Sequence, residues 1–206
     1  MKHNGNRGKL IQLLIGALFV IVAIVPSSAQ KLITYEAGMG SRSSENSDVW
    51  ILYQRVKAMH EGMTLWADSA LLNTKQNDFT AFRNIKIILS DTTTITGSRL
   101  YYDGMSRIAH IWGDTVVLKD GATTLKTDRL IFDRNTSTAY YETWGHAYDK
   151  SNTLDSRVGQ YNTDQNLFTI YGDVVLKDSS SMLLTDTLYY NTNTKEATFV
   201  SPTQIH

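Results

Sequence analysis

Hydrophobic and polar residues alternate along most of the chain after Trp50, which is the pattern of a β-strand with one buried and one exposed face. The segment "TTLKTDRLIFD" at 123–133 is typical, since it is rich in threonine and in branched or aromatic residues. Polar tracts such as "DGMS" and "DRNTST" follow these segments and predict turns, because Asn and Asp side chains bond their own backbone there. No long segment has a 3.6-residue period, and the chain has only two prolines. The pattern predicts an all-β protein.

The strand pattern recurs with a period of about 30 residues. The apolar residues that open each motif are Leu65, Ile95, Leu125, Leu154 and Leu183. The residues that end each Leu-x-aromatic triplet are Leu72, Tyr102, Phe132, Tyr161 and Tyr190. The Asx residues that follow them are Asn73, Asp103, Asp133, Asn162 and Asn191. A further column, often glycine and suited to a kink or bulge, contains Gln54, Arg83, Gly113, Gly145, Gly172 and Ser201. Five such repeats, with a leading half repeat, account for residues 49–206.

A single repeat cannot bury its own apolar face, so successive repeats are expected to stack into an elongated sheet folded over on itself. Alternation places one set of apolar side chains on the inner face. This set is Ile87, Leu100, Tyr102, Val116, Leu118, Leu130, Phe132, Val174, Leu176, Leu188 and Tyr190. The face just before the glycine column stays undecided: Ala109 and Ile111 suit the inside, but Trp112, Trp144 and Tyr171 on the other face are also bulky.

The first 29 residues have the composition of an export signal. Lys2, Arg7 and Lys9 precede an apolar run from Leu10 to Val25, and "PSSAQ" predicts cleavage before Gln30. An uncleaved anchor is the alternative, although the apolar run is short for a membrane-spanning helix. Residues 36–48 are small and polar with no apolar period, and we expect a flexible leader over residues 30–48. We therefore expect an exported, periplasmic protein.

Composition excludes several classes of function. The chain has no cysteine, so it has neither disulfides nor a thiolate metal site. Without Lys2, Arg7 and Lys9 it has 17 basic and 20 acidic residues, which gives no electrostatic basis for binding nucleic acid. Asp68, Asp128 and Asp186 recur at one repeat position and so have the same environment. A catalytic acid–base pair needs neighbouring groups in different environments, so we do not expect these aspartates to form one. The histidines lack metal-ligand spacing. We expect no enzyme, no metal site and no cofactor.

The recurring "TDxLxY(N/D)…A" unit followed by "GDVVLKD" resembles the repeat of the OstA-like, LptA-type proteins of lipopolysaccharide transport, and "SPTQI" with the extended leader resembles the OstA-like group of Bacteroidetes. The resemblance covers roughly residues 49–206. It implies a folded-over β-jellyroll, or β-taco, whose apolar groove carries the acyl chains of lipopolysaccharide across the periplasm. It also implies partners: other jellyroll proteins of a transport bridge, copies of the same chain stacked head to tail, and complexes of the inner or outer membrane.

Departures from the repeat leave alternatives open. Gln54 and Arg83 replace glycine, and Arg157 stands where other repeats have aspartate. In "GHAYDK", Ala147 and Asp149 replace larger apolar residues, which predicts an interruption of the groove. One alternative is a secreted β-solenoid scaffold whose inward residues fill a closed core. Another is a glycan-binding adhesin that uses the outer aromatic residues Trp112, Tyr140, Trp144 and Tyr171. The chain stops at His206 directly after a strand, so a longer protein also stays open.

Overall fold

A computed structural model describes residues 31–205, and within them every regular element is a β-strand. The sixteen strands form one antiparallel sheet, as the all-β prediction requires. Their bounds are β1 Thr34–Glu36, β2 Met39–Arg42, β3 Val49–His60, β4 Met63–Asn73, β5 Asp78–Ile88, β6 Thr93–Asp103, β7 Ile108–Asp120, β8 Thr123–Asp133, β9 Thr138–Tyr141, β10 Gly145–Tyr148, β11 Thr153–Ser156, β12 Val158–Asn162, β13 Leu167–Lys177, β14 Met182–Asn191, β15 Ala197–Phe199 and β16 Gln204–Ile205.

The long strands β3 to β8, β13 and β14 are each crossed near the middle by a bend. The pairing register shifts there between β3 and β4, β4 and β5, β5 and β6, β6 and β7, β7 and β8, and β13 and β14. The bends divide the sheet into two arms. Arm 1 contains residues 49–53, 69–73, 78–82, 99–103, 108–112, 129–133, 138–141, 158–162, 167–171 and 187–191. Arm 2 contains residues 56–60, 63–66, 85–88, 93–96, 116–120, 123–127, 145–148, 153–156, 174–177 and 182–185.

The sheet is folded at these bends so that its two arms face each other. Alternating side chains on one face of both arms are buried and belong to a single hydrophobic core, although residues 31–205 form only this one sheet. Side chains at the far ends of the two arms also meet, as between His60 at the end of β3 and Tyr102 in β6. A folded sheet thus supplies both layers that a hydrophobic core requires.

Among the long strands, the odd-numbered ones bend at the predicted glycine column. Gly113 and Gly172 have φ angles of +85° and +74°, and Gln54 and Arg83 hold the same left-handed conformation at +61° and +62° without being glycine. Even-numbered strands bend without a left-handed residue. The aspartates Asp68, Asp128 and Asp186 lie near these bends with exposed side chains.

The 30-residue period reflects a ladder of stacked turns at the end of arm 1. Each turn begins with the predicted Asx residue, whose side chain accepts hydrogen bonds from backbone N–H groups two or three residues later. Each turn then donates a backbone N–H to the carbonyl of the turn before it. These donor–acceptor pairs are Thr74–Asp48, Gly104–Asn77, Arg134–Arg107, Thr163–Ser137 and Thr192–Asn166. One repeat therefore adds one turn, two bent strands and one step of the ladder.

The segment predicted as a flexible leader contains two strands. β1 pairs with the arm 2 part of β3, and β2 pairs with its arm 1 part. Ile33 is buried, and its backbone N–H donates to the Asn77 side chain at 2.8 Å. These two strands form at the edge of the sheet. The unpaired backbone N–H and C=O groups of β3 can pair there with an added strand, even one formed by small and polar residues. The predicted signal peptide and cleavage at Gln30 lie outside the described residues.

The structure also settles the undecided face before the glycine column. Ala109 and Ile111 are both buried at 1% exposure, so they point into the core. Trp144 and Tyr171 are exposed on the outer face, and Trp112 is half-buried there. Within residues 31–205, no helix has the length and hydropathy needed to span a membrane.

Candidate functional site

The inner faces of the arms form rows of side chains that run across the strands for the length of the sheet. The residues in each row are register partners, so a row passes from one strand to the next. The row nearest the end of arm 1 contains six aromatic residues and two alanines. From β5 to β14 it reads Phe79, Tyr102, Ala109, Phe132, Ala139, Tyr161, Phe168 and Tyr190. The alanines leave space for the neighbouring rings, and Tyr161 and Phe168 stack at 4.3 Å between ring centroids.

The eleven residues predicted to line the groove all lie on these inner faces. Each is buried, with at most 8% of its surface exposed. Tyr102, Phe132 and Tyr190 belong to the outermost row of arm 1. The next row of arm 1 contains Leu100, Leu130 and Leu188. The remaining five lie on arm 2 and are Ile87, Val116, Leu118, Val174 and Leu176.

In this structure the two arms are closed against each other. The spaces between them beside Tyr102 and Tyr190 measure about 10 Å³ or less. A single water needs at least ~10–15 Å³, so neither space admits an acyl chain. A third space, of about 230 Å³, lies beside Phe132 at the ends of the arms, and most of the residues around it are polar. The inner residues therefore fill a packed core in this structure.

Polar side chains link the ends of the arms along the mouth, the side opposite the bends. Five pairs make these links: His60–Tyr102, Glu61–Arg107, Asp120–Tyr161, Asn152–Tyr190 and Asp149–Lys195. We call them the mouth contacts. Tyr161 donates its hydroxyl to Asp120 at 2.8 Å, and Arg107 meets Glu61 at 2.9 Å. Each pair joins residues about 40 positions apart, so neither alternation nor the repeat predicts it.

Burial sets the protonation of several groups at the mouth. Burial of the phenol, reinforced by the nearby Glu61 carboxylate, raises the pKa of Tyr102 to about 12. Burial would also raise the pKa of Asp149, but hydrogen bonds from Lys195 and from two backbone N–H groups outweigh it and hold that pKa below its ordinary value. At neutral pH, Tyr102 is therefore a neutral hydroxyl and Asp149 an anion. In these states the Asp149 carboxylate pairs with the Lys195 ammonium, and the neutral Tyr102 hydroxyl hydrogen-bonds to the His60 ring.

The strands break on either side of "GHAYDK", the segment at which an interruption of the groove was predicted. Where other repeats have one bent strand, β9 and β10 are separate, and so are β11 and β12. Tyr141 fills the inner space at this break, and its hydroxyl lies 2.6 Å from Ser156 Oγ. A side chain at Gly145 or Gly159 would overlap the Tyr141 ring, so these glycines provide space. The core is thus continuous across the break, with one tyrosine replacing the side chains of a regular bend.

Several core residues were not among the predicted groove residues. The largest fully buried ones are Tyr161, Phe79 and Phe168, all at 1% exposure or less. Tyr161 stands in the same repeat column as Tyr102 and Tyr190, so the period alone was enough to find it. Tyr141 lies 30 positions after the inward-facing Ile111, so the period could have found it as well; the two extra residues of this repeat lie after it, before Gly145. No group of three or more potential metal ligands occurs among residues 31–205.

A known family accounts for most of this sequence. A family model described as "OstA-like protein" matches residues 32–186. Among solved structures, the chain is similar to LptH from Pseudomonas aeruginosa, described as the LptA homologous periplasmic component of a lipopolysaccharide transport device. The identity is 14%, the match covers 70% of this chain and 93% of that chain, and the TM-score is 0.32. A search of curated proteins finds no match. Because the family model covers well over half of the sequence, the protein belongs to the OstA-like family.

Proposed function

We propose that the protein is a periplasmic lipopolysaccharide carrier that holds acyl chains between its two arms. The observation that carries the proposal is the uninterrupted apolar inner face, which extends from β3 to β14 in a member of the OstA-like family. Acyl chains need a long apolar channel and no catalytic group. Burying ten methylenes would contribute on the order of 8 kcal/mol before ordering costs, enough for capture and low enough for release.

Lipid binding requires the closed arms to separate at the mouth. The mouth contacts are polar and lie at the ends of the strands, so opening them exchanges hydrogen bonds with water and leaves the sheet ladders intact. Net contributions of such bonds are about 1 kcal/mol each, so an acyl chain that replaces core contacts offsets their loss. The bends act as the hinge, and lipid takes the place of the contacts between the arms.

Photo-crosslinking tests where the lipid binds. A photoreactive amino acid at Phe132 or Tyr190 should label lipopolysaccharide, because both side chains lie on the inner face. The same group at Asn135, in an exposed turn at the end of arm 1, should not. Circular dichroism must show that each variant keeps its β-structure. Equal labelling from inner and turn positions, or no lipid bound by the unmodified protein, would contradict the proposal.

A second experiment tests the opening of the mouth. The chain has no cysteine, so Asn152→Cys with Tyr190→Cys places a unique pair at one mouth contact, where the native side chains lie 3.0 Å apart. Joining the pair with a short bis-maleimide should abolish labelling from Phe132, and the unjoined pair should keep it. A matched pair on one arm, Tyr189→Cys with Thr198→Cys, should have no effect when joined. Undiminished labelling with the mouth joined would exclude opening there.

We further infer that copies of this chain, or other jellyroll proteins, stack against the ends of the sheet. At one end Phe199, Val200 and Ile205 are exposed, and at the other Leu32 and Met39 are exposed, so both ends present apolar side chains beside strand edges. Sedimentation at increasing concentration should show association that Phe199→Asp weakens and the outer-face change Tyr189→Asp does not. A monomer at every concentration, unbound to jellyroll partners, would count against stacking.

A further inference from the structure

A cleft lies on the outer face of the sheet where β9 leaves β8. β8 pairs with β9 only over residues 131–133 and with β10 only over residues 124–126, so no residue of β9 or β10 pairs with 127–130. The opening is a cavity of about 460 Å³, a size typical of small-molecule sites. A second outer cavity of about 640 Å³ adjoins it across the Trp112 side chain. We call the two together the Trp112 cleft.

Cross-strand pairing places an aromatic residue between two arginines in this cleft. Trp112 pairs with Arg99 on one side and with Arg129 on the other. Neighbouring strands are about 4.8 Å apart, so the two arginines lie roughly 10 Å apart with the indole between them. Both arginines are exposed, and within residues 31–205 neither has an ion-pair partner.

The other walls of the cleft add hydrogen-bonding and aromatic groups. Tyr140 and His110 flank the opening from β9 and β7, and the exposed Glu142 lies beyond Arg129. Ser98 lies in the adjoining cavity, where its hydroxyl donates to Asp114. Aromatic faces bind the C–H face of a sugar ring, carboxylates accept hydroxyl protons, and the planar guanidinium binds phosphate or carboxylate in a bidentate manner.

We propose that the Trp112 cleft binds a saccharide that bears an anionic group, with the sugar ring on Trp112, the anion at Arg129 or Arg99 and ring hydroxyls at Glu142. The comparison within the repeat supports this assignment. Tyr171 is the residue before the glycine column in a later repeat and is equally an exposed outer aromatic, but its cross-strand partners are Val158 and Thr187. Tyr171 also lies beside a break, the one between β11 and β12, so the arginines make the difference: among residues 31–205, only Trp112 is an outer aromatic residue with an arginine as each of its two cross-strand partners. The inference does not depend on acyl-chain binding, because the cleft lies outside the folded sheet.

The test follows the four indole N–H resonances of ¹⁵N-labelled residues 30–206 by NMR. The probes are glucose 1-phosphate and glucuronate, which combine a ring with phosphate or carboxylate, with glucose and inorganic phosphate as the single-component arms. We expect both combined probes to shift the Trp112 resonance in a saturable way and to leave that of Trp66 unchanged. Arg129→Gln should weaken this binding at least tenfold, and Tyr171→Ala should leave it unaltered.

Two results would overturn the proposal. One is a Trp112 resonance that none of the probes shifts. The other is a shift by inorganic phosphate as strong as that by glucose 1-phosphate, which would make the cleft a simple anion site. Lipid labelling from Phe132 should be the same in Arg129→Gln as in the unaltered protein. Failure of the saccharide site and failure of acyl-chain binding are therefore separate outcomes.

Discussion

The stretch from β3 to β8 and the stretch from β9 to β12 both pass from one arm of the folded sheet to the other, but they do so in different ways. In the first, each strand runs unbroken through its bend, by means of a left-handed residue or a bulge. In the second, the strands stop, the chain leaves the sheet over residues 142–144, and Tyr141 fills the space inside. A regular bend thus keeps the sheet continuous. A broken strand leaves a cleft on the outer face, and a single large side chain fills the space on the inner side.

The comparison also separates two uses of glycine in one repeat column. Gly113 has a positive φ angle, which a side chain disfavours whatever the space around it. Gly145 has an ordinary backbone conformation but lies against the Tyr141 ring. Glycine in this column is therefore favoured by backbone geometry in one repeat and by packing in the other.

The largest expected effect is at the side chain that seals the break. Tyr141→Ala should lower the free energy of unfolding by ~3–5 kcal/mol, since it removes a buried ring where the broken sheet cannot collapse to fill the space. Urea denaturation of residues 30–206 measures this change. Tyr140→Ala, on the half-buried outer face of the same strand, should cost about 1 kcal/mol. Equal costs at the two positions would show that Tyr141 does not seal the break.

Asp149 distinguishes the broken region at the mouth, since it stands where other repeats have an apolar residue. Asp149→Asn should lower stability at pH 7 by ~1.5–3 kcal/mol, because it removes a charged hydrogen-bond acceptor whose side chain is only 7% exposed. The exposed turn change Asp91→Asn is the matched control and should have almost no effect.

The effect of Asp149→Asn depends on pH in a defined direction. The pKa of Asp149 is lower in the folded than in the unfolded protein. The stabilisation by its carboxylate is therefore complete above the unfolded value of about 4 and is lost as pH falls through the folded value. The difference in stability between the unaltered protein and Asp149→Asn should shrink as pH falls from about 5 towards 3. A difference that stays constant over this range would exclude a charged Asp149 in the closed mouth.

Gly159 tests whether packing, rather than backbone conformation, fixes glycine at the break. Gly159→Ala should cost ~1–3 kcal/mol, because its new methyl group meets both the Tyr141 hydroxyl and the Ile170 side chain. The same change made in a Tyr141→Ala background should cost less, since one of the two obstacles is gone. A double-mutant cycle measures this coupling. Additive costs would show that the tyrosine and the glycine are not packed together.

The smallest effect concerns the unbroken strands. Gln54 holds a φ angle of +61° at a bend where Gly172 serves in a later repeat. Gln54→Gly should stabilise the protein by about 0.5–1 kcal/mol, because glycine adopts this conformation without steric cost. Thermal unfolding should show a small rise in the midpoint. A loss of stability would mean that contacts of the Gln54 side chain outweigh its backbone strain.

The sequence by itself determined the repeat, the strands, the turns and the residues of the inner face. Each of these depends on local chemistry: alternation gives the strand faces, and an Asx residue closes its own turn within three positions. All eleven predicted groove residues are buried together for this reason. The face on which they lie follows from the two-residue period of the strands alone. So does the burial of Tyr161, which stands in the repeat column of Tyr102 and Tyr190.

Only the tertiary structure decided how the folded sheet closes. The mouth contacts join residues about 40 positions apart, and β1 and β2 form because the edge of β3 accepts them. The inner space that Tyr141 fills and the outer Trp112 cleft both lie where the strands break. The outer arginines come together only through the pairing of β6, β7 and β8. Contacts of this kind depend on the angle of the bends and the register of distant strands, and neither is encoded in the pattern of any single repeat.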